Sequence, residues 1–319
     1  MKRSILNAIE RAQIISVFRH INPDHDALGS QWGLITWLKH KYPHKQIIAC
    51  GFHQTVKGVE YPLEEASSDQ IIESSLAIVL DSANQARIDD QRFALANQII
   101  KIDHHPETDH YGDIVWVDPS KASTCEMVTS LLKDAQQKPL PSDVSALLLG
   151  GIMSDTIMFS IKSTSQFTLS MAAYLMESDV NINDIYQKLY HISLKDYHFI
   201  NFIRSQATFH ESGLLVTFVS HDDLIRHKMH PNLAKEYIYA LANVHEVEVW
   251  ALFIEIDVDD QWLYNGSIRS KNVAINQIAA QYNGGGHPLA AAVKHVTYKE
   301  ALEILRSCEH KLKEAKHEH

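Results

Sequence analysis

Residues 99–105 read IIKIDHH, a short apolar run that ends on an acid and two imidazoles. The same pattern occurs at residues 14–20 (IISVFRH), shortly before Asp24 and Asp26, and at residues 76–81 (LAIVLD). Short runs rich in Ile and Val that stop at polar residues are typical of buried strands in a parallel sheet. Ligands of such sheets collect at the carboxyl ends of the strands. The three stretches therefore predict that acids and histidines meet at one rim of a sheet.

The residue types in these clusters predict a metal site. Asp155, which follows the apolar segment 146–153, is interpreted as a fourth cluster placed after a strand end. Carboxylates with a few imidazoles suit Mn²⁺ best, with Mg²⁺, Fe²⁺, Co²⁺ or Zn²⁺ as lesser candidates. No thiolate belongs to the set, because Cys50, Cys125 and Cys308 lie outside the clusters. Four aspartates and two or three histidines exceed what one ion binds, so we predict two divalent cations roughly 3.5–4 Å apart that share a carboxylate.

Asp24 and Asp26 also have an ordinary structural interpretation. They lie within NPDHDALG at residues 22–29, which could form a turn and cap the helix that follows. The metal site is favoured over that interpretation because the clusters occur in order after successive predicted strands.

The rest of the chain predicts an α/β protein of two domains, since 319 residues exceed the usual size of a single hydrophobic core. We place a catalytic domain with a doubly wound, mainly parallel sheet at residues 1–185, a helical connector at 186–208 and a smaller α/β domain with a mixed sheet at 209–319. In the last domain, strand-like patterns cover residues 214–219, 246–256 and 262–269, and a helical pattern covers 273–282.

Composition and charge argue against a membrane-spanning protein and against a protein that binds long nucleic acids. The chain is 45% hydrophobic and 21% charged, and no segment approaches the ~20 apolar residues of a membrane span. Three separate cysteines indicate a reducing cytoplasm. The net charge of −10 argues against binding long DNA or RNA, which needs an extended basic surface, but it permits a short phosphorylated substrate. The oligomeric state is open, and a homodimer is compatible with the sequence.

The four clusters match, in order, the four motifs of the DHH phosphoesterases, and the chain resembles that family from residue 14 to about residue 295. Residues 284–290, GGGHPLA, and residues 267–270, SIRS, resemble the DHHA1 domain that accompanies one branch of the family. The chain is most similar to the nanoRNase/pAp-phosphatase group, bifunctional oligoribonucleases that act on very short RNAs and on 3′-phosphoadenosine 5′-phosphate. No motif position is substituted, which implies an active enzyme.

The resemblance implies a role for each residue of the clusters. One ion is expected to bind His20, Asp24 and Asp81, and the other Asp26, Asp81, His104 and Asp155, with Asp81 as the bridge. Asp103, beside a ligating histidine, is expected to fix the tautomer of that histidine. His105 is expected to contact the scissile phosphate or the leaving group, with a buried structural imidazole as the alternative.

The second domain is expected to select the substrate. Its expected contacts are Arg269, Ser270, Gly284, Gly285, Gly286 and His287. Glycine lets a backbone approach a ligand closely and offer N–H groups to phosphate oxygens. The arginine fork suits phosphate, and the imidazole could add a further donor. A flexible turn would show the same glycine pattern and is the alternative.

These expectations combine into a Mn²⁺-dependent phosphodiesterase that is also a phosphomonoesterase. It would hydrolyse oligoribonucleotides of about two to five nucleotides to mononucleotides, and 3′-phosphoadenosine 5′-phosphate to AMP, by two-metal activation of water. The alternatives are hydrolysis of linear or cyclic signalling dinucleotides and a nucleotide-sensing binding protein. Family II inorganic pyrophosphatases share the N-terminal motifs but carry a different C-terminal domain, so the glycine-rich segment argues against them.

Overall fold

The computed structural model describes residues 1–52, 56, 59–64, 66–136 and 138–317. It divides into two units, Met1–His191 and Ile192–His319. The division falls within the connector predicted at residues 186–208, and the domain limits themselves stay a prediction. No helix in the described part of the chain is both long enough and apolar enough to cross a membrane.

The first unit is built on a five-stranded parallel sheet. Its strands are β1 (Ile14–Phe18), β2 (Gln46–Ala49), β3 (Leu76–Leu80), β4 (Gln98–Asp103) and β5 (Ile114–Val117). Its helices are α1 (Lys2–Arg11), α2 (His25–Lys41), α3 (Asp69–Glu73), α4 (Thr124–Ala135), α5 (Ser142–Asp155), α6 (Gln166–Leu175) and α7 (Ile182–Tyr190), with 3₁₀ turns at Gln85–Arg87 and Gln91–Leu95. All strand pairs are parallel, in the order β2-β1-β3-β4-β5. The predicted doubly wound sheet is confirmed.

This strand order places a topological switch point between β1 and β3. From β1 the chain continues to β2 on one side, and β3, β4 and β5 follow on the other. In such sheets ligands bind beyond the carboxyl ends of the strands where the order reverses. His20 comes two residues after β1 and Asp81 directly after β3, so both enter that crevice. Every residue of β3 is buried, as expected for a strand covered on both faces.

Asp155 reaches the site from a helix. The expectation that it follows a strand is wrong, because residues 146–153 belong to α5 and Asp155 is the last residue of that helix. A helix that is buried on most sides is apolar nearly all round. Its sequence then lacks the period that would distinguish it from a buried strand.

Close helix packing sets the positions of Asp26 and Asp155. A Cβ atom on Gly29 of α2 would lie 2.7 Å from a backbone oxygen of α5, and one on Gly151 of α5 would lie 2.2 Å from the Sγ atom of Cys125 in α4. No side chain fits at such distances, so glycine at both positions lets α2, α4 and α5 meet. The three helices carry their acidic and polar residues to the same edge of the sheet.

The second unit is built on a six-stranded mixed sheet. Its strands are β6 (Thr208–His210), β7 (Leu214–Val219), β8 (Val249–Val258), β9 (Gln261–Ser270), β10 (Gly284–His287) and β11 (Ala290–Val296). Its helices are α8 (Leu194–Ser205), α9 (His221–Arg226), α10 (Pro231–Ala234), α11 (Asn276–Ala279) and α12 (Tyr298–His317), with a 3₁₀ segment at Lys235–Leu241. The order is β10-β11-β9-β8-β7-β6, and of these pairs β7–β8 is parallel. The predicted mixed sheet is confirmed.

Two local expectations for the second unit are wrong. The helix expected over residues 273–282 is reduced to α11, where Ile278 within the helix and Ile275 just before it are buried in the core. The alternative of a flexible glycine turn also fails, because residues 284–287 form β10 at the edge of the sheet. Burial of the apolar residues against the sheet explains the first error, and pairing with β11 explains the second.

Candidate active site

Three groups of side chains at the carboxyl edge of the first sheet could each hold a cation. In each group the potential ligand atoms lie within 4.8 Å of one another. The groups are His20 with Asp24 and Asp81, Asp26 with His104 and Asp155, and Asp81 with His104 and His105. The structure therefore brings together every residue predicted as a metal ligand, although their role as ligands stays a prediction.

Asp81 is shared by two of these groups, and each of its carboxylate oxygens faces a different histidine. Its Oδ2 lies 3.4 Å from His20 Nε2, and its Oδ1 lies 3.5 Å from His104 Nε2. The backbone of Asp81 has φ +56°, a left-handed conformation that aspartate tolerates better than most residues. This orientation is the one that a carboxylate shared by two ions needs.

Backbone carbonyls set the tautomers of the two histidines. His20 Nδ1 donates to the Ile21 oxygen at 2.8 Å, and His104 Nδ1 donates to the Lys121 oxygen at 3.3 Å. In each ring the free lone pair is therefore on Nε2, which lies on the side of the carboxylates. His104 Nε2 is buried and has no hydrogen-bond partner in the described residues. A buried lone pair without a partner is costly, and a cation would satisfy it.

The carboxylates of the site repel one another unless a cation joins them. Burial, followed by the charges of Asp26, Asp24 and Asp81, raises the pKa of Asp155 to about 9. Burial and then the neighbouring carboxylates also raise the pKa of Asp26 well above its usual value. Asp155 ends α5, where the helix dipole disfavours an anion. Oxygen and imidazole donors with an excess of negative charge therefore fit a divalent cation.

Asp103 orients His105. Its Oδ1 accepts from His105 Nδ1 at 2.9 Å and from the His105 backbone N–H at 3.1 Å. The expectation that Asp103 fixes the tautomer of a ligating histidine is therefore wrong for His104, whose Nδ1 bonds to a backbone oxygen. The hydrogen bond that His105 donates to Asp103, opposed by burial and aided by the charge of Asp81, raises the pKa of His105 to about 9. The His105 side chain is 41% exposed, unlike a buried structural imidazole.

The sequence predicts a helix over residues 122–135 with Ser120 or Ser123 near its start, but not that the N-terminus of this helix, α4, contacts the site. The backbone N–H groups of its first two residues donate to Asp26 Oδ2 and Oδ1 at 2.7 and 2.8 Å. The Thr124 hydroxyl donates to Asp81 Oδ1 at 3.0 Å. A signal for it existed in the sequence, because Ser123 and Glu126 have the spacing that marks the start of a helix.

A left-handed turn follows Asp155. Residues 157–159 have φ values of +44°, +56° and +65°. The Thr156 hydroxyl holds this turn, since it donates to a carbonyl of α5 at 2.6 Å and accepts from the Phe159 N–H at 2.9 Å. Backbone strain of this kind concentrates near functional sites. Here the strained residues form the turn that follows Asp155.

Replacing Ile157 by glycine is expected to stabilise the protein. A left-handed residue other than glycine costs ~1–2 kcal/mol, and the freedom of glycine in the unfolded chain offsets ~0.5–1 kcal/mol of the gain. The Ile157 side chain is 59% exposed, so little burial is lost. Thermal unfolding should show a rise in Tm of about 1–4 °C. Ile157→Ala keeps the strain and is the control; a glycine variant no more stable than the alanine variant would contradict the explanation.

In the second unit, Arg269 and His287 lie on one face of the mixed sheet. Ala290 of β11 pairs with His287 of β10 on one side and with Arg269 of β9 on the other. Directly paired residues project to the same face. Since neighbouring strands are ~4.8 Å apart, the two side chains start about 10 Å from each other, with a small residue between them.

The three glycines of β10 differ in what the sheet demands of them. A Cβ atom on Gly284 would lie 2.3 Å from a backbone oxygen of β11, and Gly286 combines φ +135° with an approach of 2.4 Å. A Cβ atom on Gly285 would meet nothing within 4 Å. Gly285 lines a cavity of about 600 Å³ together with Ala292 and Lys294. Packing within the sheet therefore requires glycine at positions 284 and 286, whereas it does not require glycine at position 285.

Ser270 does not join Arg269 on that face. Adjacent residues of a strand project to opposite faces, and Ser270 is buried. Its Oγ accepts from the Val273 N–H at 2.8 Å and so stabilises the turn after β9. The structure does not favour the expected contact of Ser270 with substrate.

Comparison with known proteins agrees with this architecture. Residues 14–152 match the DHH family, N-terminal domain, and residues 211–314 match the DHHA1 domain. The chain is 35% identical to the bifunctional oligoribonuclease and PAP phosphatase NrnA of Bacillus subtilis (strain 168), over 98% of this chain and 99% of that protein. It is 31% identical to the probable bifunctional oligoribonuclease and PAP phosphatase NrnA of Streptococcus mutans, again over 98% and 99%.

A solved structure shares the fold of the whole chain. The exopolyphosphatase-related protein from Bacteroides fragilis superposes with a TM-score of 0.85 at 21% identity, covering 98% of this chain and 96% of that one. DHH phosphoesterases are metal-dependent, as the grouped carboxylates and imidazoles would require. The family resemblance predicted from the motifs is confirmed. The chain belongs to the DHH family of phosphoesterases and carries a DHHA1 domain after its DHH domain.

Proposed function

We propose that this enzyme is a Mn²⁺-dependent phosphodiesterase that hydrolyses oligoribonucleotides of about two to five nucleotides to mononucleotides. We also propose a phosphomonoesterase activity that converts 3′-phosphoadenosine 5′-phosphate to AMP. The observation that carries the proposal is the Asp81 carboxylate, whose two oxygens face different histidines. The full-length similarity to relatives named for both activities supports the choice of substrates.

Two ions are proposed at the first unit. One would bind His20, Asp24 and Asp81, and the other Asp26, Asp81, His104 and Asp155. When bound, they would supply the positive charge that lowers the pKa of an attacking water and neutralises charge developing on the phosphate. His105, partly exposed and oriented by Asp103, is proposed to contact the scissile phosphate or the leaving group. The mixture of oxygen and imidazole donors supports Mn²⁺.

The second unit is proposed to bind the nucleotide. Arg269 offers a forked set of donors and His287 one more on the same face of the sheet. The open position at Gly285 would let a phosphate approach the backbone closely. These groups offer only a few phosphate contacts in a chain of net charge −10, which suits a short substrate better than a polymer.

Turnover is expected to fall as the RNA becomes longer. Affinity for long chains comes from neutralising successive phosphates, and an acidic protein with one cation cluster neutralises few of them. Competition between a labelled dinucleotide and an RNA of about 24 nucleotides, at equal strand concentration with Mn²⁺, measures this preference. We expect the dinucleotide to be consumed first, with a shallow dependence on salt. Faster degradation of the long RNA would contradict the proposal.

A panel of substrates separates the proposal from its alternative. It compares pApA, 3′-phosphoadenosine 5′-phosphate and a cyclic dinucleotide, each with Mn²⁺, Mg²⁺ and Co²⁺. The proposal requires pApA to be hydrolysed faster than the cyclic dinucleotide. The reverse order would assign the enzyme to the turnover of signalling dinucleotides.

We also propose that the enzyme works in the cytoplasm. Cys50, Cys125 and Cys308 are buried free thiols, as is usual for proteins kept in a reducing compartment. The oligomeric state stays open, and a homodimer is compatible with the sequence.

A further inference from the structure

The first turn of α4 holds two carboxylates of the proposed metal centre. Backbone N–H groups of its first two residues donate to both oxygens of Asp26, and the Thr124 hydroxyl donates to Asp81 Oδ1 at 3.0 Å. Asp26 and Asp81 are almost completely buried. In the described residues no hydrogen bond joins α4 to His20 or Asp24. The helix therefore supports one side of the centre and not the other.

The Thr124 hydroxyl is not needed to begin the helix. Ser123 already caps α4, because its Oγ accepts from the Glu126 N–H at 3.1 Å. A valine in place of Thr124 would fill nearly the same space and leave that cap intact. The direction of the hydroxyl is therefore explained by its bond to Asp81 and not by capping.

The hydrogen bond from Thr124 restrains the orientation of the Asp81 carboxylate. The oxygen that accepts from Thr124 is the one 3.5 Å from His104, while the other oxygen lies 3.4 Å from His20. Rotation about χ2 of an aspartate is soft, so the hydrogen bond from Thr124 helps to keep Oδ1 beside His104, while His20 lies against Oδ2. Without the hydroxyl, Oδ1 loses the hydrogen bond that comes from α4.

We propose that Thr124 is a positioning residue for the ion of the Asp26, His104 and Asp155 group. The inference rests on the two-ion function proposed above. The first turn of α4 holds both Asp26 and the Asp81 oxygen that lies 3.5 Å from His104, whereas in the described residues the other Asp81 oxygen receives no bond from α4. Loss of the hydroxyl therefore weakens the binding of one ion selectively.

Calorimetric titration of the chelator-treated full-length chain with Mn²⁺ tests this selectivity. The wild type should bind two ions, and Thr124→Val should bind one of them ~10- to 100-fold more weakly, the usual effect of removing a group that orients a metal ligand. Thr124→Ser keeps the hydroxyl and should restore wild-type binding. Asp24→Asn should weaken the other ion and so identify the two binding events.

The same helix supplies a matched control. Thr129 is also buried, and its hydroxyl donates to the Cys125 carbonyl oxygen at 2.7 Å, away from the carboxylates. Thr129→Val should leave both binding events and the turnover of pApA unchanged. Thr124→Val should lower pApA turnover at limiting Mn²⁺ and recover part of it at high Mn²⁺.

Several results would overturn the inference. They are unchanged binding of both ions by Thr124→Val, equal weakening of both ions, and a Thr124→Ser variant that behaves like Thr124→Val. The last result would make packing of the methyl group the cause. A wild type that binds two ions but hydrolyses no nucleotide would refute the proposed substrates, while selective weakening in Thr124→Val would still support the role of Thr124.

Discussion

Asp81→Ala is expected to reduce turnover of every phosphate ester substrate to background. The change removes the carboxylate whose two oxygens face different histidines, so both proposed ions lose a ligand. Metal ions contribute several kcal/mol of charge stabilisation in such reactions, which corresponds to a loss of ~10³-fold or more. Steady-state assays of pApA and of 3′-phosphoadenosine 5′-phosphate at saturating Mn²⁺ measure the effect, with metal content determined on the same preparation.

A surface aspartate provides the control for this variant. The Asp134 side chain is 54% exposed and pairs with Lys2, so Asp134→Ala should keep wild-type turnover. If Asp81→Ala retained more than about a tenth of the wild-type rate, the assignment of Asp81 as a shared ligand would be wrong, because ligand loss usually costs much more.

Arg269→Ala is expected to weaken nucleotide binding while both ions stay bound. A hydrogen bond to a charged group contributes ~1.5–3 kcal/mol, so kcat/KM should fall roughly ten- to a hundredfold, mainly through KM. Kinetics on pApA together with metal analysis distinguish this result from damage to the metal centre. His287→Ala should show the same pattern, since both side chains project from one face of the sheet.

The Arg269 guanidinium also bonds within its own sheet, so its loss could affect folding. Its Nη1 donates to the Ile268 oxygen at 2.9 Å, and Arg269→Lys, which keeps the charge without the fork, separates charge from geometry. Arg226→Ala is the control, because that side chain is 68% exposed and pairs with Asp223 on α9. Unchanged kinetics in Arg269→Ala, or empty metal sites, would remove the second unit from substrate recognition.

The central strands of the parallel sheet could be predicted from the sequence because each is a short apolar run that ends at polar residues. The run at residues 76–80 is one example: it is apolar throughout, it is β3 in the structure, and Asp81 follows it directly. A buried strand cannot alternate between apolar and polar residues, so its composition alone identifies it. The positions of His20, Asp81 and His104 at one rim then follow from parallel topology.

The features of the fold and the site that the sequence does not predict depend on contacts between residues far apart in the chain. A helix buried on most sides has no visible period, so the sequence does not show that the helix beginning near residue 142 continues to Asp155. The bond from Thr124 to Asp81 joins residues that nothing local relates, and the partner of Asp103 depends on which way two adjacent imidazoles turn. The glycines of β10 form a strand because they pair with β11. Their own sequence does not indicate this pairing.

The side chains of the candidate metal groups follow β1, β3 and β4 or lie at the start of α2 and the end of α5, so the site exists only when residues 20 to 155 are folded together. An ion that binds there recognises the native state and not the unfolded chain, which links metal binding to folding. At a free concentration 100 times its Kd, one such ion adds ~2.7 kcal/mol to the free energy of unfolding. The supply of the bound cation would then affect how well the protein resists heat and proteolysis as well as how fast it works.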